Sequence, residues 1–333
     1  MTALVWFTRD LRVHDHPALR AALDSSRRVV PVFCLDDRLL HGRHASGPRT
    51  QFMLECLADL RERLNGALVV RRGPPERELP ALARSVGAAE LHFSSDSGPF
   101  ARRRIERVTG AVGIESFAHP GLHAVDDLGA VRTQAGKPYT VFSPFHRSWL
   151  GAPRRAVIGR PREVGSLPAG VRVGRLPSLG SLGLAQEVSE PMKGGEGEGR
   201  KRLARFLASG VRSYEDGHDA MARDSTSRLS PYLHFGCLSP REVEARLPRG
   251  AGAEAFRRQL CWRDFYHHVL LHFPRNARSE FQARYRGAIG WSRAERRFEA
   301  WCEGRTGYPL VDAGMRQLRH EGWIHNRARL VVG

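Results

Sequence analysis

Short apolar runs alternate with amphipathic stretches through the first hundred residues of this 333-residue chain, which limits the folds open to it. The runs are rich in β-branched and aromatic residues and predict buried strands at residues 3–7, 29–34, 67–70 and 91–93. Residues 51–64 and 75–86 carry apolar side chains at helical spacing. Such an order predicts an α/β domain, with a parallel sheet, right-handed crossovers and helices on both faces.

A parallel sheet of this kind binds ligands at the carboxyl ends of its strands, where the connecting loops cluster. The loops that follow the predicted strands span residues 8–15, 35–49 and 94–104. None of them contains the GxGxxG pattern of nicotinamide-dinucleotide sites. These loops are therefore candidates for a ligand site of another kind.

The composition changes after about residue 150. Gly, Pro, Arg and Ser dominate residues 151–191, and a polar, glycine-rich piece follows at 192–199, which indicates an interdomain connection. Beyond it, the pattern predicts helices at residues 201–208, 240–247, 253–273, 293–302 and 309–318. We therefore predict an α/β domain at 1–130, a connection at 131–199 and a mainly helical domain at 200–333.

The formal net charge of +18 suits a polyanionic partner such as nucleic acid, because phosphates bound by basic side chains release counterions. All but three of the 53 Lys and Arg residues are Arg, so a purely compositional bias explains the charge equally well. Five widely spaced cysteines without metal-site spacing predict reduced thiols and no bound metal. The sequence shows neither a membrane span nor a signal peptide, and we expect a cytoplasmic protein.

Two hydroxyl residues, an arginine and a third hydroxyl stand close together in residues 226–236, TSRLSPYLHFG. Thr226, Ser227 and Ser230 offer hydroxyl and backbone N–H donors at a predicted helix start, a combination that holds a diphosphate or a ribose. The same residues would also serve as an ordinary cap of that helix. From these residues alone, both interpretations stay open.

An aromatic and polar stripe occupies residues 259–268, QLCWRDFYHH. On a helix, Gln259, Trp262, Arg263 and Tyr266 share one face. This face offers an indole that stacks on a base, and polar groups that meet the base edge or a phosphate. The alternative is an aromatic core stripe bordered by surface charge.

A third group of motifs lies near the end of the sequence, at residues 304–318 and 322–329. Its composition indicates a helical hairpin with a basic end. A solvated basic face is the default interpretation of such a pattern.

Taken together and in this order, the segments resemble the DNA photolyase and cryptochrome family, most closely the class I cyclobutane pyrimidine dimer photolyases. The similar segments are VWFTRDLRVHDHPAL from residue 5, KPYTVFSPF at 137–145, TSRLSPYLHFG, WRDFYHH at 262–268, GRTGYPLVDAGMRQL at 304–318 and GWIHNRARL at 322–330. The resemblance covers nearly the whole chain. It implies an α/β fold with an N-terminal parallel-sheet (Rossmann-like) antenna domain and a C-terminal all-helical FAD-binding domain.

The resemblance further implies that excited, reduced FAD splits pyrimidine dimers in UV-damaged DNA, with the dimer flipped into the flavin cavity. The positions that match FAD-binding residues are Tyr214, Thr226, Ser227, Arg228, Leu229, Ser230, Arg263 and Asn326. The positions that match DNA contacts are His218, Gln259, Trp262, Arg263, Tyr266, Asn326 and Arg327. Trp262 and Gln259 also match residues at the reacting dimer, and Trp291 matches the surface end of the tryptophan chain that reduces the flavin.

In this family the N-terminal domain holds a second, light-harvesting chromophore. The residues here resemble the 8-hydroxy-deazaflavin type more than the methenyltetrahydrofolate type. The candidate contacts are Phe33, Cys34, Leu35, Arg49 and Asp96.

The sequence also departs from the family's pattern. Family members continue past the position of Gly333, so we interpret the helical domain as incomplete, and we expect this chain to bind FAD poorly. Arg329 is expected to lose a carboxylate partner and to become a costly buried charge. Gln259 stands where a Glu is usual and His218 where an Arg is usual, which leaves the lesion type open.

We therefore expect a monomeric carbon–carbon lyase that repairs cyclobutane pyrimidine dimers in DNA under blue light. The alternatives are a cryptochrome-type blue-light photoreceptor, a (6-4) photolyase, and a non-catalytic remnant that binds a nucleotide or an antenna. Specific binding of dimer-containing DNA separates repair from sensing.

Overall fold

The computed structural model describes residues 1–164, 167–290 and 294–333. The strands in these residues are β1 (Thr2–Phe7), β2 (Arg28–Leu35), β3 (Val69–Arg72), β4 (Glu90–Ser94) and β5 (Glu115–His119). The α-helices of the first half are α1 (Pro17–Ser25), α2 (Asp37–Leu40), α3 (Gly47–Arg63), α4 (Pro75–Val86), α5 (Pro99–Val112) and α6 (Phe142–Gly151). Those of the second half are α7 (Glu196–Arg205), α8 (Tyr214–Gly217), α9 (Ser230–His234), α10 (Pro240–Ala245), α11 (Ala251–His272), α12 (Glu295–Glu303), α13 (Pro309–Glu321) and α14 (Asn326–Val332).

The five strands form one parallel sheet in the order β3-β2-β1-β4-β5. This confirms the α/β fold with a parallel sheet, and the second half is helical as predicted. The edge strand β5 was not predicted, because its residues are half-buried or exposed and show no apolar run. Two of the predicted loops were partly wrong, since α2 and the start of α3 lie within 35–49 and α5 begins at Pro99 within 94–104.

Alternate residues of β1 enter two different cores, because successive side chains of a strand point to opposite faces of the sheet. Leu4 and Trp6 pack with α4 and α5 in a core that we call the outer core. Val5 and Phe7 belong to a larger cluster that also holds side chains of α3 and helical residues such as Tyr232. We call this cluster the shared core, because it joins the sheet to the helices of the second half.

The loop after β1 meets the turn after α9 at very short range. The backbone N–H of Leu11 donates to the carbonyl of Phe235 at 3.1 Å, and Arg12 Nη1 donates to the carbonyl of Gly236 at 3.0 Å. Gly236 has a φ of +69°, and a Cβ atom there would lie 2.1 Å from the carbonyl oxygen of Arg9. The close approach of the two halves therefore depends on a residue without a side chain.

Helix α6 lies within the predicted connection and packs against α11. The indole Nε1 of Trp149 donates to Asp264 Oδ2 at 3.0 Å, and the same oxygen accepts the backbone N–H groups of Ala124 at 2.9 Å and Val125 at 3.4 Å. Asp264 is fully buried, and burial raises its pKa to about 6. Asp264 thus connects three segments at one point.

The domain boundaries drawn from the sequence stay a prediction.

His268 fixes the same region from the next turn of α11. Its Nδ1 lies 3.1 Å from the carbonyl oxygen of Leu128, and its Nε2 accepts the backbone N–H of Tyr139 at 3.1 Å. This arrangement requires the neutral ring, because a protonated Nε2 accepts no hydrogen bond. Burial lowers the pKa of His268 to about 4.

We expect His268 to make the stability of the chain sensitive to acid. Its pKa in the folded state lies below the ordinary value of 6.5, so its contribution is complete above pH 6.5 and is lost as the pH falls towards 4. The stability advantage of the wild type over H268Q should therefore shrink by about 3 kcal/mol between pH 7 and pH 4. Urea unfolding at both pH values measures this difference. H41Q, which removes an exposed imidazole, is the control, and an advantage that does not change with pH would contradict the assignment.

Candidate active site

One large cleft, with a volume of about 1520 Å³, lies between the end of the sheet and the helices of the second half. Its walls come from α3, from the segment around residues 226–231, from α11, and from α13 and α14. Pockets for single small ligands occupy roughly 300–1,000 Å³. The cleft therefore has room for a dinucleotide and for part of a second ligand.

The structure brings together every predicted FAD or DNA contact that it describes. These residues all line the cleft: Tyr214, His218, Thr226, Ser227, Arg228, Leu229, Ser230, Gln259, Trp262, Arg263, Tyr266, Asn326 and Arg327. Trp291, the predicted surface end of the tryptophan chain, lies outside the described residues.

Arg228 has a strained backbone conformation, and neighbouring side chains hold its guanidinium group in place. Its φ is +49°, in the left-handed region that a residue with a side chain rarely adopts. Its Nε donates to Asp224 at 2.8 Å, its Nη1 donates to Glu321, and its guanidinium lies 4.4 Å from the ring centre of Trp323. Arg228 therefore links the 226–230 segment to α13, and its charge is already balanced by two carboxylates.

Thr226 has a free hydroxyl at the wall of the cleft. Its Oγ1 is buried and has no hydrogen-bond partner within the described part of the chain. A buried hydroxyl without a partner costs about 1–3 kcal/mol, so such an atom indicates a missing acceptor or donor. The Ser227 hydroxyl, in contrast, accepts the backbone N–H of Leu229 at 3.3 Å and serves the turn itself. Thr226 therefore has its whole hydroxyl available for a polar ligand, whereas Ser227 retains its O–H donor.

Seven arginines and two glutamates line the cleft, and three of the arginines, Arg9, Arg228 and Arg327, are paired with carboxylates. Arg263 is fixed by donating to the carbonyl oxygens of Leu122 at 2.7 Å and Leu233 at 3.3 Å. Burial lowers its pKa to about 10, so it stays charged at neutral pH. Arg329 is exposed, so the expectation that it becomes a buried charge was wrong. The remaining positive charge favours an anionic ligand in the cleft.

The predicted stripe on α11 faces the cleft. The Trp262 ring lies 5.7 Å from that of Tyr266 with an interplanar angle of 28°, and Tyr266 is 61% exposed. Phe265, on another face of the same helix, is buried in the hydrophobic cluster between α6 and α11, and the half-buried Trp262 packs at the edge of that cluster. The interpretation of the stripe as a ligand-facing surface is therefore favoured over that of a core stripe.

Asp219 joins two of the predicted DNA contacts and was missed by the sequence analysis. Its carboxylate lies 3.2 Å from His218 Nε2 and accepts from Arg327 Nη2 at 2.6 Å. The hydrogen bond from Arg327 lowers the pKa of Asp219. The His218 ring in turn lies parallel to that of Tyr214 at 5.2 Å. The position of Asp219 directly after His218 was the one indication that the sequence offered. Because Asp219 and Arg327 are 108 positions apart, their pairing could not be predicted from local sequence.

The sheet side of the cleft holds further residues that the sequence analysis did not select. Arg9 lines the cleft and forms two hydrogen bonds with Asp96, at 2.6 and 2.8 Å. His267 also lines it, with Nδ1 2.7 Å from Ser97 Oγ. Burial and the nearby arginines lower the pKa of His234 to about 4. The loop after β4 thus contacts two residues of the cleft wall.

The five candidate antenna contacts do not form one site in the described residues. Phe33 and Leu35 point into the shared core, whereas Cys34 points into the outer core, where burial raises its pKa to about 12. Arg49 lines the large cleft, and Asp96 reaches the cleft only through Arg9. The antenna site therefore stays a prediction.

The residues of the cleft fit FAD. The unpartnered hydroxyl of Thr226 and the charged Arg263 suit the diphosphate and ribose groups, and the volume exceeds the usual range for one small ligand. No group of His, Cys, Asp and Glu suited to a metal ion occurs in the parts of the chain that the structure describes. A search of the described helices found none long and apolar enough to cross a membrane.

Comparison with known proteins agrees with this picture. Residues 3–162 match the family model of DNA photolyase, and residues 256–333 match that of the FAD binding domain of DNA photolyase. A deoxyribodipyrimidine photo-lyase of Streptomyces griseus is 41% identical over 340 residues, which cover 99% of this chain and 73% of that protein.

Two solved structures are similar over nearly the whole chain. A Synechocystis cryptochrome has a TM-score of 0.88 at 25% identity, with coverage of 99% of this chain and 74% of that one. An archaeal photolyase from Sulfolobus tokodaii, described with two FAD molecules, has a TM-score of 0.84 at 29% identity, with coverage of 100% and 74%. Together with the matched FAD-binding domain and the cleft that it lines, these similarities lead to one conclusion: the chain belongs to the DNA photolyase family.

Proposed function

We propose that this chain is a lyase that repairs cyclobutane pyrimidine dimers in UV-damaged DNA with FAD and blue light. The observation that carries the proposal is the single cleft lined both by the 226–230 segment and by the aromatic face of α11. The first suits a flavin dinucleotide and the second suits an unstacked base. A repair enzyme of this kind needs both surfaces within one site.

The FAD pocket would lie in the deeper part of the cleft. When bound and reduced, FAD supplies the excited electron that opens the cyclobutane ring. Thr226 donates to the polar groups of the cofactor, and Arg263, fixed by two backbone carbonyls, supplies a positive charge without moving. Arg228 keeps the 226–230 segment against α13. These residues bind and orient, and none of them acts as an acid or base.

The dimer would enter beside α11. Trp262 and Tyr266 present aromatic rings at the cleft, and Gln259 provides an amide for the edge of a base. Stacking on an aromatic side chain contributes about 1–3 kcal/mol per base. Extrusion of a base from the helix costs least where pairing is already damaged, which favours the lesion over intact DNA. His218 and Arg327, both held by Asp219, are the proposed contacts to the DNA backbone.

A photosensory role is the second candidate, and the similarity to the Synechocystis cryptochrome is the observation that favours it. A (6-4) photolyase and a non-catalytic remnant stay as weaker alternatives. Repair of a defined dimer separates the enzyme from all three. An 8-hydroxy-deazaflavin antenna, a cytoplasmic location and a monomeric state stay predictions.

The test is the near-ultraviolet and visible absorption of the purified chain, followed by repair of an oligonucleotide with one cyclobutane dimer. We expect flavin bands that bleach in light with a reductant, and light-dependent loss of the dimer. A spectrum without flavin bands would instead support the prediction from the sequence that this chain binds FAD poorly, and would contradict the proposed function. A chain that carries flavin but leaves the dimer intact would contradict the proposed reaction.

The variant W262A sharpens the test. Loss of the stacking surface should weaken binding of dimer-containing DNA by about tenfold, with the flavin content unchanged. F298A removes a ring that is 63% exposed on α12 and does not line the cleft, so it serves as the control. Equal binding by W262A and the wild type would exclude Trp262 from the lesion site.

A further inference from the structure

Phe142 covers one face of Trp262. The two ring centres are 3.6 Å apart and the interplanar angle is 3°, so the rings are in full parallel contact. Phe142 is only 6% exposed, whereas Trp262 is half-buried at the wall of the cleft. Phe142 belongs to the segment at 137–145 that resembles the family, but it does not line the cleft itself.

Phe142 is itself firmly held, because α6 is attached to α11 along its length. Three residues before α6 begins, the backbone N–H of Tyr139 donates to His268, and in its last turn the indole of Trp149 donates to Asp264. Between them, the rings of Phe145 and Phe265 lie 5.2 Å apart. The guanidinium of Arg258 lies 5.1 Å from the Phe142 ring centre. A ring fixed in this way can fix the plane of its neighbour.

We propose that Phe142 is a positioning residue for the lesion, which sets the plane of the Trp262 indole so that a flipped-out base meets it face on. This rests on the proposed function, since it names the base as the ligand of Trp262. With one face of the indole covered by Phe142, a base has only the other face on which to stack. Without the stack, the indole would occupy several rotamers. The entropy lost when DNA binding orders the indole would then make the binding free energy less favourable.

The first arm of the test measures affinity for dimer-containing DNA. F142L keeps an apolar side chain but removes the stack, and should weaken binding about fivefold with unchanged flavin content and unchanged repair per bound complex. F142Y, which keeps the ring, should restore wild-type affinity. F93L is the control, because it removes a buried ring from the outer core, which contains neither Phe142 nor Trp262. If F142L does not fold, F142M supplies the flexible, non-stacking side chain.

The second arm does not depend on repair. In chain labelled with 5-fluorotryptophan, the fluorine resonance of Trp262 is identified by its absence from W262F. We expect one sharp resonance in the wild type and in F142Y, and a shifted or broadened one in F142L. A Trp262 resonance and a dimer affinity in F142L equal to those of F93L would overturn the proposal. If the wild type fails to bind the dimer while the resonance responds as expected, the proposed function fails but the role of Phe142 in fixing Trp262 stands.

Discussion

The substitution G236A is expected to destabilise the chain by about 3–4 kcal/mol. Gly236 has a φ of +69°, which is unfavourable for alanine, and its added Cβ would lie 2.1 Å from the carbonyl oxygen of Arg9 and 2.5 Å from Asp10 Cα. Neither atom can move easily, because both belong to the backbone at the end of β1. Urea unfolding measures the loss of stability. Flavin content should fall as well, since Arg9 and Phe235 line the cleft.

G87A provides the matched control. Gly87 also has a left-handed φ, +58°, at the end of α4, but no atom lies within 4 Å of the position of its Cβ. Its cost should therefore be only the backbone strain, about 1 kcal/mol. Equal losses for the two variants would mean that the contact with Arg9 contributes nothing and that the junction between the halves adapts freely.

Replacement of Asp264 by alanine should cost about 4 kcal/mol, because it leaves three buried donors without an acceptor. These donors are the backbone N–H groups of Ala124 and Val125 and the indole N–H of Trp149. D264N keeps one carbonyl oxygen in place and should cost clearly less. The measurement is urea unfolding at neutral pH.

D24A is the control for D264A, since Asp24 is 61% exposed and pairs with Arg20 within one helix. A surface pair of this kind contributes at most about 0.5 kcal/mol. D264A should also disturb α6, and so reduce dimer binding together with stability. A D264A variant as stable as D24A would show that the three donors find other partners.

The strands and the amphipathic helices of the sheet could be predicted because burial on both faces leaves a clear pattern in the sequence. Helix α4 has the predicted limits, 75–86. Helix α7 begins at Glu196, inside the glycine-rich piece, because Asp59 of α3 accepts its backbone N–H at 2.9 Å. Helix α5 has only two buried residues, Val108 and Val112, so its apolar pattern was too weak to detect.

The cleft was predicted where its residues lie in short motifs, as in the 226–230 segment and on α11. It was missed where two distant segments meet. Arg9 and Asp96 are 87 positions apart, and neither local sequence indicates that the two side chains pair. The stacking of Phe142 on Trp262 was missed for the same reason, since local spacing contains no information on contacts between helices.

The shared core has a thermodynamic consequence for ligand binding. Because side chains of β1 and α3 pack in the same cluster as those of the helical half, unfolding of either half exposes apolar surface of the other, which couples their stabilities. A ligand that binds only the folded cleft stabilises by mass action, by about 2.7 kcal/mol at a hundredfold excess over its dissociation constant. That stabilisation therefore extends to strands that never touch the ligand, and the chain should respond to flavin as one cooperative unit.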